Sequence, residues 1–117
     1  MKYANGVPSA PIEVVQTRAF SRRIDDLLGP SEYDELEWYL SCRPDAGPVI
    51  PGSDGLRKLK WKAPGKGKRG GTRIIYYWRR SPSMILMLAA FGKGEKADLS
   101  KAELAVLRKA VEAEFGK

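Results

Sequence analysis

The chain contains no histidine and a single cysteine, Cys42. Without histidine, neither a Ser-His-Asp nor a Cys-His catalytic arrangement can be built, and the commonest zinc ligand is missing. A lone cysteine cannot close an internal disulfide, so packing must hold the fold, as is usual in a reducing compartment. No metal site and no small-molecule cofactor is expected. Long apolar runs are also lacking: the longest, Met84 to Phe91, falls far short of the ~20 residues of a membrane helix. The opening MKYANGVPSAP has no apolar core of secretory-signal length. Together these absences lead to the expectation of a cytoplasmic protein with no membrane partner.

What is abundant is positive charge, unevenly placed. The 117 residues carry a formal net charge of +7, which in a small domain points to a polyanionic partner such as nucleic acid or the ribosome. Residues 24 to 42 hold six acids and no Lys or Arg, whereas residues 57 to 80 hold ten Lys or Arg and no acid. Two such blocks in one compact unit imply a polarised surface. The length suits one domain with one modest core, spanning residues 1–117 after a loose lead-in of residues 1 to 11.

Periodicity supplies the elements. Ile12 to Gln16 is a short β-rich run, a first strand. Phe20, Ile24, Leu27 and Leu28 recur at helical spacing between Arg18 and Leu28, a stretch expected to end on a left-handed Gly29 and on Pro30. Ser31 is placed to cap a second helix, whose inner face is Tyr33, Leu36 and Leu40 and which closes at Arg43-Pro44. Residues 44 to 55, with three prolines and three glycines, read as loop. Three strand signals succeed it, at Leu56 to Lys62, Thr72 to Arg79 and Met84 to Phe91, and turn-rich separators favour an antiparallel meander. The third carries no charge, as expected of a strand covered on both faces. Ser100 and Glu103 match a capping box ahead of a last helix lined by Leu104, Leu107, Val111 and Phe115. The expected class is α+β: a small antiparallel sheet of an N-terminal strand plus the meander, packed by two N-terminal helices and a C-terminal helix. The helices are expected on one face of the sheet, with the other left open.

The stretch KLKWKAPGKGKRGGTRIIYYWRR, residues 58 to 80, concentrates the chemistry. Strand alternation puts Lys58, Lys60 and Lys62 on one face and Leu59 and Trp61 on the other. Ammonium groups about 7 Å apart repel one another, a conflict that a threaded polyanion removes. A solvated strand face is the plain alternative. Residues 65 to 70 fit G-x-G-x-x-G, but a dinucleotide fingerprint must open a helix, and here a strand comes next; nor do Lys-Ser or Lys-Thr follow Gly70 as a P-loop requires. A hairpin loop carrying Lys66, Lys68 and Arg69, able to close over RNA, is the better reading. Arg73, just inside the next strand, offers a phosphate two oriented N–H donors, and Tyr76 or Tyr77 could stack on a base. RNA cleavage is open to such a site, because the 2′-hydroxyl is a built-in nucleophile and clustered lysines, lowering one another's pKa, can supply a base.

The series G-L-R-K-L-K-W-K, then G-K-G-K-R-G-G-T-R-I-I-Y-Y-W, then an apolar strand ending F-G-K-G-E-K-A-D-L-S and a final helix, resembles the RelE/HigB superfamily of bacterial toxins. The match covers roughly residues 55 to 115. The resemblance implies a RelE-like fold and a type II toxin: a metal-independent, ribosome-dependent endoribonuclease that cuts mRNA in the decoding site. It further implies a cognate antitoxin, often of helix-turn-helix type. Carried over by position, the paired strand lysines fall on Lys58 and Lys60, one of which would activate the 2′-hydroxyl. The strand arginine falls on Arg73, which would stabilise the charged phosphorane. The basic segment after the third strand falls on Lys93 and Lys96, with Glu95 between. The chain departs from RelE at Gly94, where an arginine stands in RelE, and at Ser100, where a tyrosine stands. The form G-K-x-E-K-x-x-L-S is closer to the HigB branch. Lys93, Lys96 and Tyr77 stay open as general acid; Lys62, Lys66, Lys68, Arg69 and Tyr77 are expected to bind RNA.

Another class of function uses the same residues: a non-catalytic RNA- or ribosome-binding module whose lysines only hold phosphate. A free DNA-binding protein fits less well, because the basic cluster lies on strands and loops and no helix carries it.

Overall fold

The computed structural model describes residues 12–62, 71–96 and 98–116; the expected lead-in and the loop cations Lys66, Lys68 and Arg69 lie outside them. The element order is β1 (Glu13–Gln16), α1 (Arg18–Leu27), α2 (Pro30–Cys42), β2 (Arg57–Trp61), β3 (Thr72–Arg80), β4 (Ser83–Gly92) and α3 (Lys101–Phe115). The class is α+β, with a four-stranded mixed sheet in the order β1-β4-β3-β2. β2, β3 and β4 form the expected antiparallel meander, and β1 joins it parallel to β4, pairing Glu13 with Met84 through Gln16 with Met87. A parallel partner is possible because α1 and α2 intervene and return the chain to the far side of the sheet. No helix among the described residues is long and apolar enough to cross a membrane.

Helices cover both faces of the sheet, not one. Phe20 and Ile24 of α1, Leu28 just past its end, and Leu36 and Leu40 of α2 pack on Leu59, Trp61, Ile74, Tyr76, Ile85 and Met87. On the opposite face, Leu104, Leu107, Val111 and Phe115 of α3 pack on Ile75, Leu86, Leu88 and Phe91. The charge-free β4, with strand neighbours on both sides, is therefore buried above and below. The expectation of a single open face fails because β3 alternates apolar residues on both faces, Ile74 and Tyr76 against Ile75 and Tyr77, and each set needs a cover.

The junction between α1 and α2 also differs from expectation. Gly29 has φ −72°, in the extended region, and is the N-cap of α2, with Pro30 in the first turn. Its N–H donates to Glu32 Oε1 at 3.0 Å. Proline here opens a helix as well as stopping one, since its missing N–H would have no helical partner in the first turn. At α3 the expected capping box is present: Ser100 Oγ accepts from Glu103 N at 3.1 Å, and Glu103 Oε1 accepts from Ser100 N at 2.8 Å.

One irregularity in β4 sets which of its last side chains reach each face. Ile75 pairs with Ala89 and Tyr76 with Met87, so Leu88 is an extra residue in β4. Strict alternation after Leu86 and Leu88 would send Ala90 toward α3 and Phe91 toward α1. With the bulge, Ala90 packs on the α1 side and Phe91 on the α3 side.

Candidate nucleic-acid interface

The β2–β3 register decides which cations meet. Lys60 lies opposite Arg73 and Lys58 opposite Ile75, and Arg73 lies in turn opposite Phe91 of β4. Directly opposed residues share a face, so Lys60, Arg73 and Phe91 form one row across three strands, at ~4.8 Å per strand. This is the face covered farther along by α3. The chain can enter β3 at this distance from β2 only through glycine: Gly71 has φ +81°, and a Cβ there would lie 2.3 Å from the Trp61 carbonyl oxygen.

Each cation of the row has a different setting. Lys60 is exposed, as is Lys62 just past the strand. Arg73 is half-buried, with Nη1 3.4 Å from the Gly71 carbonyl oxygen. Lys58 is mostly covered, and its ammonium donates to Asp98 Oδ1 at 3.2 Å. Lys96 lies 5.6 Å from the centre of the Phe91 ring and is paired with Glu103. Lys58, Lys60, Arg73 and Lys96 are thus gathered at one end of one face. Lys93 stands exposed in the turn after β4, two residues past Phe91, with no hydrogen bond or ion pair among the described residues. Tyr77 is on the same face but four residues beyond Arg73, ~13 Å along the strand, with Phe115 5.9 Å and the Arg108 guanidinium 5.4 Å from its ring. Tyr76 faces the other way, and its buried hydroxyl accepts from Gly47 N and donates to the Pro44 carbonyl.

Three carboxylates, of which only Glu95 and Glu103 were marked by the sequence, tie down the connection from β4 to α3. Glu95 is held below the usual carboxylate range by the Gly92 N–H and by Arg23. Asp98 is lowered by the Leu99 N–H and then by Lys58. Glu103 is lowered by Lys96 and then by the Ser100 N–H. For Glu103 the capping box was a readable signal, but only its second oxygen reaches Lys96, which no spacing rule shows. Asp98 is 40 residues from Lys58 and carries no local signal at all.

An open groove of about 340 Å³ runs beside this end, lined by Phe91, Lys96, Leu99, Glu103 and Leu107 among others. Lys58, Lys60 and Arg73 do not line it. They present an open cationic surface, a shape suited to a polymer laid across it more than to an enclosed small molecule.

No protein-family model matches the chain. Among solved structures, the fold is similar to that of an arginine-to-alanine double mutant of the E. coli toxin RelE in the free state. The TM-score is 0.58 at 12% sequence identity, over 87% of this chain and 98% of that one. The fold is RelE-like.

Proposed function

We propose that this protein is the toxin of a toxin–antitoxin pair, a ribosome-dependent endoribonuclease that halts translation by cutting mRNA. The observation that carries the reading is the register pairing of Lys60 with Arg73 at one end of the α3 face of a RelE-like fold. The geometry supports a division of labour between these two. Lys60, exposed and without an ion pair among the described residues, acts as its neutral amine and accepts the proton of the 2′-hydroxyl as its oxygen bonds to the adjacent phosphorus, becoming the ammonium. Arg73 sits one strand away and donates to the equatorial oxygens as negative charge builds on the phosphorane. The P–O5′ bond then breaks, leaving a 2′,3′-cyclic phosphate and a 5′-oxygen that takes up a proton. Lys96, against the Phe91 ring of the row, can deliver that proton, and Lys93, two residues past Phe91, is an alternative donor; Tyr77 stands farther off. Lys58, bound to Asp98, contributes positive field and strand position.

In this reading Lys62 and the loop cations Lys66, Lys68 and Arg69 grip the substrate strand. The partners are mRNA on the ribosome and a cognate antitoxin, of the helix-turn-helix type if the G-K-x-E-K-x-x-L-S segment marks the HigB branch. The protein acts in the cytoplasm and needs no metal. A binding module without catalysis is the second reading. It is favoured by one specific observation: Glu95, Lys96 and Ser100 of that segment all have structural partners, namely Gly92 N and Arg23, Glu103, and the α3 cap.

Inducible expression of the intact chain beside Arg73→Ala separates the two. Loss of one donor to the transition state should lower cleavage about 10²–10³-fold. New mRNA 5′ ends and growth arrest, both lost in the variant while ribosome association is kept, are expected. Association with ribosomes but no cuts in the wild type would replace the nuclease by the binding module.

A further inference from the structure

The far end of the sheet carries a second cationic cluster built differently from the first. Among the described residues Arg23, Lys58, Lys96 and Arg108 each meet a carboxylate. Arg57, Arg79 and Arg80 do not, and are held by aromatic faces. The Arg80 guanidinium lies 4.8 Å and that of Arg57 5.9 Å from the Trp78 ring centre, and that of Arg79 lies 4.4 Å from the Phe115 ring centre. Trp78 is itself fixed by Nε1 donating to Ser83 Oγ at 3.1 Å.

Register explains the layout. Arg57 lies opposite Tyr76, on the α1/α2 face, and alternation puts Trp78 and Arg80 on that face and Arg79 on the other. Arg79 and Arg80 therefore lie on opposite faces at the β3–β4 turn, and Arg57 lies beside Trp78 on the Arg80 face. Arg73 is seven residues back along β3 from Arg80, ~23 Å away. A cation over a ring is attracted without consuming its N–H donors. Arg57 spends Nη1 on the Asp45 and Gly47 carbonyls, and Arg79 spends Nε on the Pro82 carbonyl. The remaining donors of these oriented forks match the paired oxygens of a phosphate diester, and a guanidinium plane can carry a stacked base.

Resting on the proposed RNA-cutting function, we infer that Arg57, Trp78, Arg79 and Arg80 form a second RNA contact. It docks the domain on the backbone of folded RNA while the Lys60–Arg73 end holds the strand to be cut. A short single strand engaged at Arg73 does not reach across to it, so the two ends have separable effects.

Purified ribosomes, a short single-stranded RNA and polyglutamate are the probes, with intact protein as wild type, Arg79→Gln/Arg80→Gln and Arg79→Lys/Arg80→Lys, each checked for an unchanged melting midpoint. The Gln pair should bind ribosomes about tenfold more weakly, with the slope of log K against log salt reduced by about 0.7–0.9 for each phosphate no longer neutralised. Short-strand affinity should be unchanged. The Lys pair should restore the salt slope and only part of the affinity, because charge returns without the planar fork. Unchanged ribosome affinity in the Gln pair would overturn the inference and leave the nuclease reading intact. So would a parallel loss of polyglutamate binding, which would reassign the cluster to an acidic protein. Cluster-dependent ribosome binding without any mRNA cleavage would do the reverse, sustaining this inference and removing the nuclease.

Discussion

Single residues carry much of the geometry that the candidate interface depends on. Gly71 is the sharpest case, since its backbone is left-handed and its missing Cβ makes room for the Trp61 carbonyl. Gly71→Ala combines a left-handed cost of about 1–2 kcal/mol with a contact that the β2 backbone must yield to. A loss of more than ~2 kcal/mol in urea unfolding is expected, together with weakened RNA binding as Lys60 and Arg73 move apart. A variant as stable as wild type would show that the hairpin can open without cost and that the close approach is incidental. Tyr76 serves the opposite face. Its hydroxyl ties residues 44 to 47 to the sheet through Pro44 and Gly47, in an environment whose burial raises its pKa. Tyr76→Phe leaves a buried amide and a part-buried carbonyl without their partner, and should cost about 1–3 kcal/mol by the same measurement. RNA cleavage should be unaffected, because the hydroxyl faces away from the Lys60–Arg73 row.

Among elements, the connection from β4 to α3 shows what pattern could and could not tell. The strands, α3 and its capping box were legible because each is written in local periodicity: Leu104, Leu107 and Val111 define a face wherever the helix packs. The cationic strand face was legible for the same reason, since alternation alone separates Lys58 and Lys60 from Leu59 and Trp61. The bulge at Leu88 was not, because an extra residue in a wholly apolar strand changes no spacing a reader can see. The parallel docking of β1 and the Lys58–Asp98 pair depend on long-range closure and were equally invisible. The three carboxylates of this connection lead to a pH prediction. Glu95, Asp98 and Glu103 all have folded pKa values lowered from ordinary values of 4.5, 3.8 and 4.5. A lowered carboxylate stabilises the fold above its unfolded pKa, and that contribution is lost as pH falls through the folded value. Amide exchange over residues 92–96 and 98–103, corrected for the intrinsic rate, should therefore show constant protection above about pH 5 and a decline below ordinary carboxylate values. Asp98→Asn should flatten part of that decline by removing one titrating group. Protection that stays level down to strong acid would mean that these pairs do not hold the segment.

For the whole molecule, the two charge blocks of the chain become two surfaces. α2 turns Asp34 and Glu35 to solvent, together with Trp38 at 72% exposure, whereas Lys60 and Arg73 lie on the opposite face, and Arg57 and Arg80 share the face of α1 and α2 toward the far end of the sheet. An acidic helix keeps a phosphate backbone off the part of the face it covers and favours approach at the Lys60–Arg73 face and at the far end of the sheet, at distances within a Debye length of about 8 Å at physiological salt. Orientation on an RNA surface should therefore be set before any close contact forms. Crosslinking of the intact protein to ribosomal RNA is expected to label peptides containing Lys60 and Arg73 or Arg79 and Arg80, and to spare the α2 peptide from Glu32 to Glu37. Raising the salt should reduce all labels together, because each reports the same long-range attraction. Labels falling mainly on Glu32 to Glu37 would reverse the assignment of faces. Trp38 would then be a stacking residue for RNA, and the net charge of +7 would serve solubility alone.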